Sequence, residues 1–238
     1  MSPQVFEALV FWFPAFLFSV TVHEAAHAWA ALRGGDPTAY HGGQVSLNPL
    51  PHIRRSPVGM LVVPLITSLT QGWTMGWASA PYDPAWAERY PRRAAWMAAA
   101  GPAGNLVLAV LAFMLLFAGL AFGVFVPPAA VHFGHLAEAA PGLAAAGAWS
   151  FAGKLLSVLL VLNSILFVFN LLPAPPLDGS VVFTLVLPED AARSFRRLAS
   201  SQVAGLIGIM VVWKVFPFLV NPLFRLLVGL LYPGQYSF

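Results

Sequence analysis

Four long apolar stretches dominate this chain: Val5–Leu32, Ala94–Val126, Phe151–Leu187 and Val203–Leu231. A helix needs roughly 20 apolar residues to cross a bilayer, so each stretch predicts a membrane span. A fifth stretch, Val58–Ala78, is weaker, because Pro64, Thr67, Ser68, Thr70, Gln71 and Gly72 interrupt it. The arginines bear on how it is read. Arg33, Arg54 and Arg55 precede it, and Arg89, Arg92 and Arg93 follow it. A crossing would put half of them on each side, whereas re-entry keeps all six together. Short loops rich in Lys and Arg stay cytoplasmic, which favours re-entry. Irregular backbone at membrane depth is tolerated only where protein or a watery cavity covers it.

The rest of the topology follows from that choice. The first helix runs inward, Ala94–Val126 runs outward, Phe151–Leu187 runs inward and Val203–Leu231 runs outward. The Pro127–Ser150 loop contains no Lys or Arg, as an external loop should, and Arg193, Arg196 and Arg197 mark an internal one. Lys154, Lys214 and Arg225 fall outside this scheme and are expected to snorkel or to face polar cavities. The Ala/Gly-rich region Ala137–Ala148 reads as a flexible external loop or a short amphiphilic helix. Pro217 and Pro222 predict a break in the last stretch, giving a tilted span followed by an interfacial helix.

Composition sharpens the class. The chain is 59% hydrophobic and 9% charged over 238 residues. Soluble domains carry about 25% charged residues, so this is a polytopic membrane protein with an all-α bundle of about four to six spans. One domain is expected over 1–238, with a core of about 5–187 and a C-terminal helical segment of about 188–238. The net charge of +3 reflects loop arginines and is read as membrane orientation, not nucleic-acid binding. Met1–Thr21 lacks the basic start of a signal peptide, and its apolar run continues too far. With no cysteine, any transition metal must be held by His, Asp or Glu.

The candidate chemistry lies inside the first apolar run, at His23-Glu24-Ala25-Ala26-His27. Ionisable groups are rare in spans because removing them from water is costly. His23 and His27 are one helical turn apart, so both imidazoles leave the same face. That is a zinc-binding arrangement, and Glu24 is placed to act as general base on the attacking water. The competing readings are a polar patch packed between helices and a proton relay.

A catalytic zinc takes three protein ligands. Among the nine acidic residues only Glu24 and Asp178 lie well within apolar segments, so Asp178 is the third ligand by elimination. Pro173, Pro175 and Pro176 cannot continue an ordinary helix and should swing the Asp178 carboxylate toward the first span, with Gly179 allowing close approach. The competing reading is a kinked helix whose Asp pairs elsewhere. Asn170, on the same unwound segment, is a candidate oxyanion donor. Asn105 in Gly101-Pro102-Ala103-Gly104-Asn105 is a candidate for binding substrate backbone or fixing the re-entrant element; spacing equally allows simple helix packing. His41 and His52 could be accessory ligands but are expected to be solvated or hydrogen-bonded. His132 and His135 are expected to be solvated in the external loop.

Taken in order, His23-Glu24-x-x-His27, Gly101-Pro102-x-x-Asn105 and Asn170…Pro173…Leu177-Asp178-Gly179 resemble the site-2 protease family of intramembrane zinc metalloproteases. The resemblance spans about residues 15–190. Gly43-Gln44-Val45-Ser46-Leu47-Asn48-Pro49-Leu50-Pro51-His52 is similar to the compact prokaryotic branch without PDZ or CBS domains. The resemblance implies a core of three helices carrying Zn2+, below the cytoplasmic surface of a prokaryotic cytoplasmic membrane. It also implies a re-entrant β-element, such as a β-hairpin, near the active site, in Val58–Ala78 or Gly72–Pro81. The partners it implies are the lipid bilayer and a membrane-protein substrate, single-pass or membrane-anchored, cut within or beside the membrane. Two departures affect the loop and the re-entrant region: Ile53-Arg54-Arg55-Ser56-Pro57 replaces the usual Asp-Pro, and Ser79 stands where Lys is common. A metal-ion transporter would also need intramembrane His and Asp, but not Glu24 beside the first His. A homologue that binds clients without cutting them would not need the base.

Overall fold

The computed structural model describes residues 2–199 and 201–236. Four helices are long and apolar enough to cross a membrane: α1 (Pro3–Gly34), α6 (Pro91–Ala121), α7 (Ala146–Asn170) and α10 (Gln202–Leu231). Between α1 and α6 come α2 (Thr38–His41), α3 (Pro49–Arg55), α4 (Val58–Gln71) and α5 (Pro84–Arg89). Between α7 and α10 come α8 (Asp178–Val182) and α9 (Glu189–Ala199). Strands β1 (Phe125–Val126) and β2 (Glu138–Ala139) pair antiparallel in the loop between α6 and α7.

Local chemistry sets the boundaries. Helix α1 stops at Gly35, whose φ of 95° needs glycine. Asp36 then turns the chain: its carboxylate accepts the Thr38 amide at 2.9 Å and the Asp83 amide at 2.8 Å. Asn48 caps α3 through the Leu50 amide at 3.0 Å, and Asp83 caps α5 through the Ala85 amide at 2.9 Å.

The weak fifth stretch enters and returns. Helix α4 ends at Gly72, where an added Cβ would stand 3.0 Å from Gln4 in the first turn of α1. The non-helical segment 74–83 then runs back. The Trp77 amide donates to the Gly59 carbonyl at 3.0 Å, and the Gln44 side chain donates to the Ser79 carbonyl at 3.4 Å. Its end is tied to Asp36, at the far end of α1. The backbone freed at the tip is satisfied by side chains: Thr67 accepts the Met75 amide at 3.0 Å, and Ser68 and Thr74 bond at 2.7 Å. The polar residues that weakened this stretch are therefore the ones that let it turn inside the bundle.

Lipid is as apolar as leucine, so close packing and interhelical hydrogen bonds must hold the spans together. Helices α1 and α6 approach at Gly104, where a Cβ would lie 3.4 Å from that of Ala26. Phe11, Phe16 and Val20 of α1, Met60 of α4, and Val158 and Leu162 of α7 form one buried cluster. Leu116 of α6, Leu160 and Val161 of α7 and Val228 of α10 form another with Phe125 and Leu136 of the connecting loop. Lys154 pairs with Glu7 at 2.8 Å, as its place inside a span required.

Several boundaries differ from expectation. Helix α6 ends at Ala121, not Val126, because Gly123 adopts φ of 68° and the chain enters β1. The start of the Ala137–Ala148 region is strand β2, held in register by β1, and its end begins α7. The expected Phe151–Leu187 helix stops at Asn170, since the following prolines cannot continue it. Helix α10 runs unbroken through Pro217 and Pro222, because a break in apolar surroundings would leave still more backbone groups without partners. The described segment 58–83 is helix and irregular chain with no strand assigned; the two-stranded sheet lies in the α6–α7 loop instead.

Candidate metal centre

Three ionisable side chains converge deep in the bundle. His23 Nε2 and His27 Nε2 lie 2.9 Å apart, and Asp178 Oδ2 lies 3.1 Å from the first and 3.3 Å from the second. Both histidines come from one face of α1 and are buried. Asp178 opens α8, after the unwound segment 171–177. That segment is a run of tight turns, with Leu172 bonded to Phe169, Ala174 to Leu172 and Leu177 to Ala174. A Cβ on Gly179 would stand 2.3 Å from the Leu171 carbonyl, so only glycine lets the chain fold back and present Asp178 to α1.

The tautomers of both histidines follow from their other nitrogens. His23 Nδ1 is 2.6 Å from Asn105 Oδ1, and His27 Nδ1 is 2.8 Å from the Met97 carbonyl. Both partners are acceptors, so both Nδ1 atoms carry a proton and donate it. In the neutral imidazoles neither Nε2 then carries one. Two lone pairs and a carboxylate oxygen thus face each other with no proton between them, an arrangement that a cation makes favourable. Tetrahedral zinc with ligands at ~2.0–2.1 Å would set them ~3.3 Å apart, close to the spacing found.

Two further features fit a metal. A Cβ on Gly101 would lie 2.2 Å from His27 Nε2 and 2.6 Å from His23 Nε2, so α6 leaves space over these two nitrogens only because residue 101 is glycine. Glu24 is 5% exposed, and its Oε2 has no hydrogen-bond partner among the described residues. A buried carboxylate oxygen without a partner needs an explanation, and a water beside the metal site supplies one. Among the described residues, His23, His27 and Asp178 are the one group of three such side chains close enough to share an ion.

A model of the family described as "Peptidase family M50" matches residues 11–214. This chain belongs to peptidase family M50. The M50 chain is 32% identical over 199 residues to "Putative zinc metalloprotease YwhC" of Bacillus subtilis (strain 168), covering 83% of this chain and 77% of that protein. It is 30% identical over 210 residues to "Putative zinc metalloprotease Rip2" of Mycolicibacterium smegmatis, covering 88% of this chain and 68% of that one. No solved structure matches it. With four helices long and apolar enough to cross a membrane, it is an integral membrane metalloprotease.

The other candidate residues of this M50 chain take varied places. Asn105 is fully buried: beyond His23, its amide donates to the Ser19 carbonyl at 3.3 Å and to Asn163 Oδ1 at 2.9 Å. Both amide hydrogens are engaged and the oxygen accepts from His23, which places Asn105 to orient that imidazole. Asn170 donates to Leu166 O of its own helix at 3.0 Å and forms no hydrogen bond with the three converging side chains. His52 is 1% exposed and donates to the Ser46 carbonyl at 2.9 Å, while His41 is exposed beside Tyr40. Neither joins the cluster.

His132 is exposed and His135 half-buried, and both are also held in place. Their backbones bridge, their rings stack at 5.1 Å, and His135 pairs with Glu138 at 2.8 Å. Gly134 between them sits against Glu7, ~24 Å along α1 from His23. Burial lowers the His132 pKa, and the neighbouring His135 lowers it further.

Asn163, Ser19 and the Met97 carbonyl escaped the sequence reading. Asn163 had a signal: a lone amide inside an apolar span is costly unless it is bonded to another helix. The Met97 carbonyl had none, because a backbone group has no sequence signature.

Proposed function

We propose that this chain is a zinc-dependent intramembrane endopeptidase. Its substrates are transmembrane or membrane-proximal segments of other membrane proteins. The observation that carries this reading is the convergence of His23, His27 and Asp178 beside the unpartnered Glu24 oxygen, inside an apolar bundle. The names of both relatives support zinc, as does the set of two imidazoles and one carboxylate without thiolate.

Bound there, zinc would acidify a coordinated water toward a pKa of about 7 and polarise the scissile carbonyl. The residues of the chain divide the remaining work. His23, His27 and Asp178 hold the ion, and Asn105 and the Met97 carbonyl fix the imidazole rings. Glu24 takes the proton of the attacking water and passes it to the leaving amine. One amide hydrogen of Asn170 is bonded to Leu166 O; we assign the other to the carbonyl oxygen of the scissile bond. The irregular return segment 74–83 offers backbone groups to which an unwound substrate could add as a strand. The basic residues beside α4 and α6 support a site facing the cytoplasmic side of a prokaryotic membrane.

Co-expression with a membrane substrate tests the reading. The wild type should cut it, and Glu24→Gln should not, because an amide cannot accept the proton. Cleavage by Glu24→Gln at near wild-type rate would remove Glu24 as the base, and a wild type that binds zinc but cuts no substrate would favour metal transport.

A further inference from the structure

We propose that Asn163 is a positioning residue of the metal centre: through Asn105 it fixes the tautomer of His23, and with it the availability of the ligand nitrogen. This rests on the reading of His23, His27 and Asp178 as metal ligands.

A backbone carbonyl can only accept a hydrogen bond. Asn163 Nδ2 lies 2.9 Å from the Leu159 carbonyl, so that end of the amide must be the donor. The same nitrogen donates to Ser19 Oγ at 2.9 Å. The opposite end, Asn163 Oδ1, is then an acceptor and faces Asn105 Nδ2 at 2.9 Å. Asn105 Nδ2 also donates to the Ser19 carbonyl at 3.3 Å, a second backbone acceptor that enforces the same orientation. Asn105 Oδ1 must therefore point at His23 Nδ1, 2.6 Å away, and can only accept from it. His23 Nδ1 holds the proton, and His23 Nε2 turns its lone pair toward His27 Nε2 and Asp178.

Each link joins a different pair of helices: α7 to α6, α6 to α1 and α7 to α1. Ser19, Asn105 and Asn163 are each 0% exposed, so no water can replace a lost partner from bulk. Flipping either amide would set N–H against N–H and carbonyl against carbonyl. The polarity fixed at Leu159 is thus transmitted across three spans to the ligand atom. A neutral imidazole otherwise exchanges between tautomers, and the Nε2-protonated one cannot bind a metal through that nitrogen. Outer partners that fix ring orientation and tautomer typically change metal affinity 10–100-fold.

The bland account is that Asn163 is only interhelical adhesive. The two accounts predict opposite orders for two variants. Asn163→Asp, protonated in this buried setting, keeps an acceptor facing Asn105 and a hydroxyl that donates to the Leu159 carbonyl, at the cost of a buried acid. Asn163→Leu removes the acceptor but suits an apolar interior. Positioning predicts that the aspartate variant binds zinc within a factor of about three of wild type and that the leucine variant loses about tenfold or more. Adhesion predicts that the aspartate variant is the worse of the two.

The test uses the full chain in detergent. Zinc affinity is measured by competition with a chromophoric chelator. Nitrogen-15 NMR of histidine-labelled, metal-stripped protein then reads the His23 tautomer, identified by the signal lost in His23→Ala. The wild type should show protonated Nδ1 and unprotonated Nε2, and Asn163→Leu should show a mixture. Asn163→Ala removes the same acceptor without added bulk and is read in the same way if the leucine variant does not fold. Wild-type affinity and a single wild-type tautomer in the acceptor-free variant would overturn the proposal, as would weaker binding by Asn163→Asp than by Asn163→Leu. A wild type that binds no zinc would instead overturn the functional reading, and the tautomer measurement alone would then decide this inference.

Discussion

At the scale of single residues, Gly101 is the sharpest case of sequence serving the site. A methyl group there would overlap both ligand nitrogens. Gly101→Ala should therefore leave a folded bundle, since alanine suits a helix, while lowering zinc affinity about tenfold or more. Zinc titration beside a thermal melt checks this, and wild-type affinity in the variant would contradict it. His23, His27 and Asp178 were legible as candidates because each is an ionisable group in an apolar run, and so was Glu24. Asn105 was visible as a residue but not as a role: spacing cannot tell an amide that touches substrate from one that touches a ligand. Asn163 needed knowledge of which spans meet. Asp36 teaches the same lesson outside the spans. Burial raises its pKa, but hydrogen bonds from the Thr38 hydroxyl, the Thr38 amide and the Asp83 amide prevail and hold it below the usual value. The sign follows: its contribution to stability is full above the unfolded value of ~3.9 and is lost as pH falls through the lower folded pKa. Asp36→Asn should thus melt earlier than wild type at pH ~7, with the gap narrowing below pH ~4. A gap that widens in acid would be the contrary result.

Among the elements, the re-entrant segment shows where pattern reading succeeds and where it stops. The arginines argued for re-entry, and the chain does turn back beside Gln4 and return to Asp36. Its internal form was not legible, because Val58–Gln71 is short, mixed in polarity and without a clean period of either kind. The α7 boundary failed for the opposite reason: the apolar run continues through prolines that end the helix. Pro217 and Pro222, by contrast, leave α10 intact, so proline alone does not fix a boundary inside lipid. Orientation is testable because the chain has no native cysteine. Cysteines introduced at Arg54 and Arg92 should react with an impermeant reagent from the same side of the membrane. Labelling from opposite sides would make the segment a true crossing.

For the whole molecule, polar contacts mark the places where spans must meet in register. At one end Lys154 of α7 pairs with Glu7 of α1. A fully buried pair broken on one side costs ~3–5 kcal/mol; here both side chains keep about a quarter of their exposure, so ~2 kcal/mol is expected. Lys154→Met should lower stability by that amount, and adding Glu7→Leu should restore most of it; a double variant no better than the single one would refute a simple ion-pair account. At the other end His23 and His27 of α1 meet Asp178 of α8, with α6 passing over them. In the proposed mechanism His23, His27 and Asp178 hold the metal while Glu24 does not. Zinc per chain in purified Glu24→Gln and Asp178→Asn tests it most directly. The account predicts about one zinc in the first and a marked loss in the second, because a neutral amide is a poorer ligand than a carboxylate. Full zinc in Asp178→Asn, or loss of zinc from Glu24→Gln, would contradict it.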